Sequence, residues 1–316
     1  MALQLVLFAV GLTALTLGAD WLVTGASRVA SQRGVSPLLV GLTIVAFGTS
    51  APELVVTVAA ALRGQGGLAV GNVMGSTVAN VGLIIGIGAM MRPIDVHRRL
   101  LRREGPLMVL VLAIVVMFAL NERMDRIDGI FLLGGFMLYI AYAIRWGMRD
   151  RELLRADLDV ARTKGDPGGR RAWLNWMRIV AGLALLLLGA EWLVDSAVRI
   201  ATHFNVPESV IGATLVAVGT SLPELASTLA AAVRGLGDIA IGNVIGSNIF
   251  NLGLVLGAAA LARPFGLPSA ALFSEVLPAL AFCILLLPLA YTGARVDRAE
   301  GGLLLGCYAV FIFSLF

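Results

Sequence analysis

GTSAPE at residues 48–53 returns almost letter for letter as GTSLPE at 219–224. Each copy sets a carboxylate, Glu53 or Glu224, inside a long hydrophobic run. The surrounding Gly, Thr, Ser and Pro carry a helix through lipid poorly, so something other than lipid must face them. A Glu within a membrane span costs roughly 2 to 4 kcal/mol or more, and by default it marks an ion or substrate pathway. Two such Glu at matching places in two halves of one chain point to a single site between the halves. That is the pattern of a secondary transporter built from inverted repeats, whose interrupted helices meet near the bilayer midplane.

Composition agrees with a membrane setting. Of 316 residues, 59% are hydrophobic and 14% charged, with a mean hydropathy of +0.91; a soluble domain is about half apolar and a quarter charged. The apolar runs suit helices of about 20 residues and lack the alternation of an outer-membrane barrel. An all-α membrane protein is expected, with ten spans near 3–27, 37–62, 68–91, 105–121, 128–147, 174–200, 208–233, 239–262, 271–291 and 299–316. The run from Leu3 has no basic leader and no clear cleavage site, and reads as a mature helix. The pI near 9.6 reflects basic loops between spans and gives no ground for a nucleic-acid partner. Cys283 and Cys307 lie in apolar runs, without the spacing of a metal motif or a disulfide pair.

Sliding the chain against itself by 171 positions aligns about 30 of the 53 residues from 41 to 93 with 212 to 264, without a gap. Asp20-Trp21 falls on Glu191-Trp192, Asn72 on Asn243, Gly75-Ser76 on Gly246-Ser247, Asn80 on Asn251 and Arg92-Pro93 on Arg263-Pro264. The organisation read from this is a first five-helix unit at 1–147, a polar linker at 148–171 and a second unit at 172–316. An odd number of spans per unit makes the second unit cross the membrane in the opposite sense. About 19 of the Lys and Arg residues fall with the loops after spans 1, 3, 5, 7 and 9, and about 5 with the others. By the positive-inside rule both termini are then extracytoplasmic and the linker cytoplasmic. The cluster Arg92, Arg98, Arg99, Arg102 and Arg103 weighs most, and reads as topogenic.

Pro52 and Pro223 each remove a backbone donor, so carbonyls around 46–49 and 217–220 should be freed. With Thr49, Ser50 and Glu53, and with Thr220, Ser221 and Glu224, each half offers carbonyl, hydroxyl and carboxylate oxygens within about one and a half turns. Such a shell suits Ca²⁺, or Na⁺ of similar size, and lacks the thiolate or imidazole of softer metals. A kink packed by small residues accounts for one copy more easily than for two. In GNVMGSTVAN (71–80) and GNVIGSNIFN (242–251), Asn72, Ser76 and Asn80 recur every four residues, as do Asn243, Ser247 and Asn251. Each triplet makes a polar stripe on one helix face, serving as interhelical glue or as ligands and gating groups. The flanking glycines, Gly71, Gly75, Gly82, Gly86, Gly242, Gly246, Gly253 and Gly257, are expected to bring that face against spans 2 and 7.

These paired motifs resemble the two alpha repeats of the cation/calcium exchanger superfamily, most closely its prokaryotic sodium/calcium exchangers. The resemblance covers both repeats (41–93 and 212–264) and the ten-span plan. It implies Na⁺-driven Ca²⁺ antiport by alternating access, with spans 1 and 6 sliding against the other eight and no cofactor. It further implies that Glu53 and Glu224 bind Ca²⁺ with the carbonyls of Thr49 and Thr220. Ala46, Ser50 and Ser76 would then form one flanking Na⁺ site and Ala217, Ser221 and Ser247 the other, with Asn80 and Asn251 bordering the centre. Many family members carry Asp where this chain has Asn251, and in the animal branch that Asp goes with K⁺ dependence; K⁺ independence is therefore expected here. Thr77 in the place of Asn248 is a smaller departure, both facing a neighbouring helix.

The runner-up keeps the fold and couples Ca²⁺ or another divalent ion to H⁺, which needs one of the Glu to carry a proton near neutral pH. An intramembrane enzyme finds no nucleophile motif, HExxH or cofactor fingerprint to support it. Asp20 and Glu191, each beside Trp, read as interfacial groups or as cation attractors at the two mouths, and His97 and His203 as solvated loop residues. No obligate protein partner is evident. In a prokaryote the membrane would be the inner one.

Overall fold

The computed structural model describes residues 2–33, 35–161, 172–204, 219–267 and 269–315. Ala217, Gly212 and the start of the seventh expected span lie outside the described residues. So does 162–171 of the expected linker.

Helix α1 (Ala2–Arg33) is followed by α2 (Pro37–Thr49) and α3 (Ala51–Leu62), the latter two bent by 48° at Ser50. Then come α4 (Gly66–Met91), strand β1 (Ile94–Asp95), the short α5 (Arg98–Arg102), α6 (Glu104–Ala119), β2 (Arg123–Met124) and α7 (Arg126–Ala161). The second half holds α8 (Ala172–His203), α9 (Leu222–Val233), α10 (Gly237–Ala262), β3 (Phe265–Gly266), α11 (Ser269–Ala294), β4 (Arg295–Val296) and α12 (Arg298–Ser314). Six of these helices contain stretches long and apolar enough to cross a membrane, seven when the bent α2–α3 pair counts as one span.

The structure departs from the sequence reading in three places. Helix α7 runs past the expected boundary at 147 to Ala161, because Arg151, Glu152, Leu153, Leu154, Arg155 and Ala156 are all good helix formers. The all-α expectation is broken by two small antiparallel ribbons: Ile94 pairs Val296 and Asp95 pairs Arg295, while Arg123 pairs Gly266 and Met124 pairs Phe265. Each ribbon takes one strand from each half. Third, Gly82 and Gly86 pack against Phe282, Tyr308, Leu305 and Gly301, and Gly253 and Gly257 against Phe136, Leu133 and Gly129. They therefore meet α11, α12 and α7, not the helices of spans 2 and 7. A π-turn begins at Asn80 in α4 and another at Asn251 in α10. One extra residue in a helix of 3.6 per turn rotates everything after it by about 100°, so glycines beyond the turn face outward.

Helices α1 and α8 are equivalent under the 171-residue shift and pack antiparallel. A Cβ on Gly18 would stand 2.6 Å from the Leu186 amide nitrogen, and one on Gly182 2.6 Å from that of Leu22. Gly11 meets Gly189 and Leu193 in the same way. Only glycine lets the two backbones come this close. The rest of the described helices surround a core in which α4 and α10 are the most completely buried spans.

Candidate functional site

Ser50 ends α2 with φ −85° and ψ 10°, and Ser221 stands before α9 with φ −90° and ψ 5°. Both are followed two residues later by proline, so the Gly48 and Gly219 carbonyls lose the amide that would close the next helical turn. Chain direction is re-established by Leu54 N–H to Ser50 O (3.3 Å) and Leu225 N–H to Ser221 O (3.0 Å). The Ala46 carbonyl is not freed as expected, since it accepts from Ser50 N–H at 3.0 Å and lies 3.3 Å from the Thr49 hydroxyl. The bend thus frees the position opposite the proline and leaves the start of the expected range occupied. Each new helix begins with its Glu in the first turn, where helix N-termini stabilise negative charge.

Glu53 and Glu224 are both fully buried. The Ser50 hydroxyl donates to Glu224 Oε1 at 2.8 Å, crossing from one half to the other. Glu224 Oε2 and both carboxylate oxygens of Glu53 have no hydrogen-bond partner. Other site atoms are in the same condition: Thr220 Oγ1, Ser247 Oγ, Asn80 Oδ1 and both amide atoms of Asn251. A buried polar group left unmatched costs about 1–3 kcal/mol, and a charged one more. So dense a set of bare oxygens in a packed core is unfavourable unless something positive shares the space. Among the described residues, no third carboxylate, His or Cys gathers with the Glu pair.

The remaining expected residues are tied together across the halves. The Ser221 hydroxyl donates to Ser76 Oγ at 3.3 Å, and the Thr49 hydroxyl lies 3.3 Å from Asn243 Oδ1. Asn80 Nδ2 donates to Asn248 Oδ1 at 2.9 Å, and Asn248 lies fully buried with its own amide 3.5 Å from Met108 Sδ. Asn243 Nδ2 donates to Thr228 Oγ1 (2.9 Å) and Ser227 Oγ (3.0 Å), and Asn72 Nδ2 donates to Thr57 Oγ1 (2.9 Å). The polar stripes therefore divide. Their outer members, Asn72 and Asn243, are helix-to-helix ties, while Ser247 and Asn251 stay unmatched beside the Glu pair.

Sequence reasoning missed Asn248, Thr57, Ser227 and Thr228. Thr57 and Thr228 could have been found, being identical under the 171-residue shift and one turn beyond each Glu. Thr77 donates only to its own helix at Val73 O (2.9 Å), so it keeps to the structural role expected of it. Asn248 does more than face a neighbour, since it holds Asn80.

Comparison with known proteins follows the same motifs. A family model described as "Sodium/calcium exchanger protein" matches residues 3–145 and 174–316. The putative antiporter CaxA of Alkalimonas amylolytica is 40% identical over 316 residues, covering 97% of each chain. The sodium/calcium exchanger MaX1 of Methanosarcina acetivorans is 34% identical over 340 residues, covering 97% of this chain and 96% of its own. A solved structure of the sodium-calcium exchanger NCX_Mj superposes with a TM-score of 0.86 at 32% identity, covering 100% of this chain and 99% of that one.

Proposed function

We propose, from the premise that this chain belongs to the sodium/calcium exchanger family of integral, multi-pass membrane transporters, that it is a secondary active Na⁺/Ca²⁺ antiporter. It works by alternating access around Glu53 and Glu224. The observation that carries the reading is the set of buried oxygens without partners at one point between the halves. Hard oxygens of carboxylate, hydroxyl and amide type are what Ca²⁺ and Na⁺ take.

In this reading Glu53 and Glu224 bind Ca²⁺ with Thr49 and Thr220. Ser50, Ser76 and Ala46 on one side, and Ser221, Ser247 and Ala217 on the other, hold Na⁺; Asn72, Asn80, Asn243 and Asn251 border the path. The two carboxylates balance one Ca²⁺ or about two Na⁺. Both cargoes then compete for the same charges. Turned to the other side empty, the site would carry two uncompensated carboxylates through a low-dielectric barrier, at several kcal/mol per ion. Loaded, it is close to neutral. Reorientation is therefore fast only with one cargo or the other aboard, which makes transport an exchange. With Asn251 in place of a third carboxylate, no charge is left over for K⁺.

The architecture in this reading is ten spans in two inverted five-helix units, 1–147 and 172–316, joined by a cytoplasmic segment and with both termini extracytoplasmic. The antiparallel packing of α1 on its equivalent α8 supports the inversion. The membrane is the inner one if the host is a prokaryote.

The test is ⁴⁵Ca²⁺ uptake into proteoliposomes preloaded with Na⁺, beside K⁺-loaded and pH-jump controls and a Glu224→Gln protein. Uptake that needs the outward Na⁺ gradient, ignores K⁺ and vanishes in the variant is the expected result. Uptake driven by the pH jump without Na⁺ would replace the reading with proton coupling, and retained exchange in the variant would remove Glu224 from the site.

A further inference from the structure

The shift of 171 residues that superposes the halves also places Asp20 on Glu191 and Arg63 on Arg234. The two halves therefore own the same pair of parts: an acid on α1 or α8, and an arginine just beyond the helix that begins with a site Glu. Only one combination is assembled. Asp20 on α1 forms an ion pair with Arg234 at the end of α9, whereas Glu191 and Arg63, both exposed, make no ion pair with each other. Packing follows the same asymmetry, since α1 lies along α9 while α8 scarcely touches α3.

Other repeated contacts show no such difference. Arg92 Nη1 donates to the Val233 carbonyl at 2.7 Å, and its equivalent Arg263 donates to the Leu62 carbonyl at 2.8 Å. Both β ribbons are formed. Contacts made among the helices around the site are thus duplicated, and contacts between the α1/α8 pair and those helices are not. The two acids also lie on opposite sides of the α1/α8 crossing. Glu191 is level with Gly11, which meets Gly189 and Leu193, and Asp20 stands nine residues, about 13 Å, further along α1.

We propose that Asp20–Arg234 and Glu191–Arg63 are alternate latches that hold the α1/α8 pair to one side of the site or the other. This rests on the alternating-access reading above. In the arrangement seen, the Asp20 latch is closed. Exchanging the conformations of the two halves opens it and closes the Glu191 latch, so each end state keeps one ion pair and neither is left with two. In the orientation proposed above, Arg234 is cytoplasmic and Arg63 extracytoplasmic, and the arrangement seen is shut towards the cytoplasm. The two acids are chemically matched but not identical, which lets the resting balance between states be set by side-chain length without touching the ion site.

The experiment uses the full chain with Cys283→Ala and Cys307→Ala, carrying Arg63→Cys with Glu191→Cys, and a short bifunctional thiol reagent. Cross-linking at 63/191 should occur in a minority of molecules and rise about two- to fivefold when Asp20→Asn is added, the shift expected from one exposed ion pair. Reversing the pair, Asp20→Arg with Arg234→Asp, should return cross-linking to its starting level, which loss of packing alone would not do. No cross-linking at 63/191 in any background, or equal cross-linking with and without Asp20→Asn, overturns the proposal. Because the readout is a cross-link and not ion flux, a protein that switches latches yet moves Ca²⁺ without Na⁺ would sink the cargo assignment alone.

Discussion

In the first half of the chain Glu53 has two buried oxygens without a hydrogen bond; in the second, Glu224 has one, its other oxygen taking the Ser50 hydroxyl at 2.8 Å. The counterpart bond from Ser221 to Glu53 is replaced by one from Ser221 to Ser76. Away from the Glu pair the halves match, with Arg92 and Arg263 bracing opposite site helices. A duplicated sequence folded once would be expected to repeat every contact. Where it does not, the symmetry is broken by the state of the molecule and not by its residues.

The largest test of that difference is at the carboxylates. Glu53→Gln should lower ⁴⁵Ca²⁺ uptake by about two orders of magnitude, the equivalent of ~3 kcal/mol for one charged ligand. Glu224→Gln should fall as far for Ca²⁺, yet keep more thermal stability in ion-free buffer than native protein, since it removes a buried charge that Ser50 only half satisfies. Equal thermal shifts in the two variants would mean that the Ser50 bond does not distinguish the two Glu.

The two central asparagines offer a sharper division. Asn251 makes no hydrogen bond, while Asn243 ties α10 to both Thr228 and Ser227. Asn251→Ala should cut transport about tenfold, the effect of losing about 1.4 kcal/mol of cation binding, and leave the melting temperature within a degree or so. Asn243→Ala should do the reverse and cost about 2–3 kcal/mol of stability through the hydroxyls it leaves unmatched. Its equivalent Asn72, half-buried with the single partner Thr57, should cost about 1 kcal/mol. Ranking the three by thermal unfolding in detergent and by proteoliposome flux checks the assignment of ligand and tie.

Much of this was legible in the residues, for identifiable reasons. The Glu-bearing motifs and their return at a fixed shift announce a duplicated membrane fold, because a carboxylate in a hydrophobic run is too costly to be incidental. The stripes of Asn and Ser every four residues locate buried faces. Sequence spacing could not reveal the π-turns at Asn80 and Asn251, since one inserted residue leaves no mark on composition. The outward turn of Gly82, Gly86, Gly253 and Gly257 was lost with them. Which member of each stripe is a tie and which is bare was also hidden, because Thr57 and Ser227 lie in otherwise unremarkable apolar turns. Likewise nothing in Asp20 or Glu191 alone says which one is paired.

The smallest expected effect is the most exacting for the comparison. Arg92 and Arg263 are exposed and each supplies one hydrogen bond to the last turn of a site helix in the other half, beside the positive-φ glycines Gly235 (φ 74°) and Gly64 (φ 71–78° range, at 78°). Orphan carbonyls at a helix C-terminus are also open to water, so each bond is worth only about 1 kcal/mol. Arg92→Gln and Arg263→Gln should therefore lower stability by the same small amount. They should also leave the 63/191 cross-linking unchanged, because both braces lie wholly among the helices around the site. A difference of more than about 1 kcal/mol between them, well outside the scatter of a single exposed hydrogen bond, or a change in cross-linking with either, would place the moving boundary through the braces and not between α1/α8 and the rest.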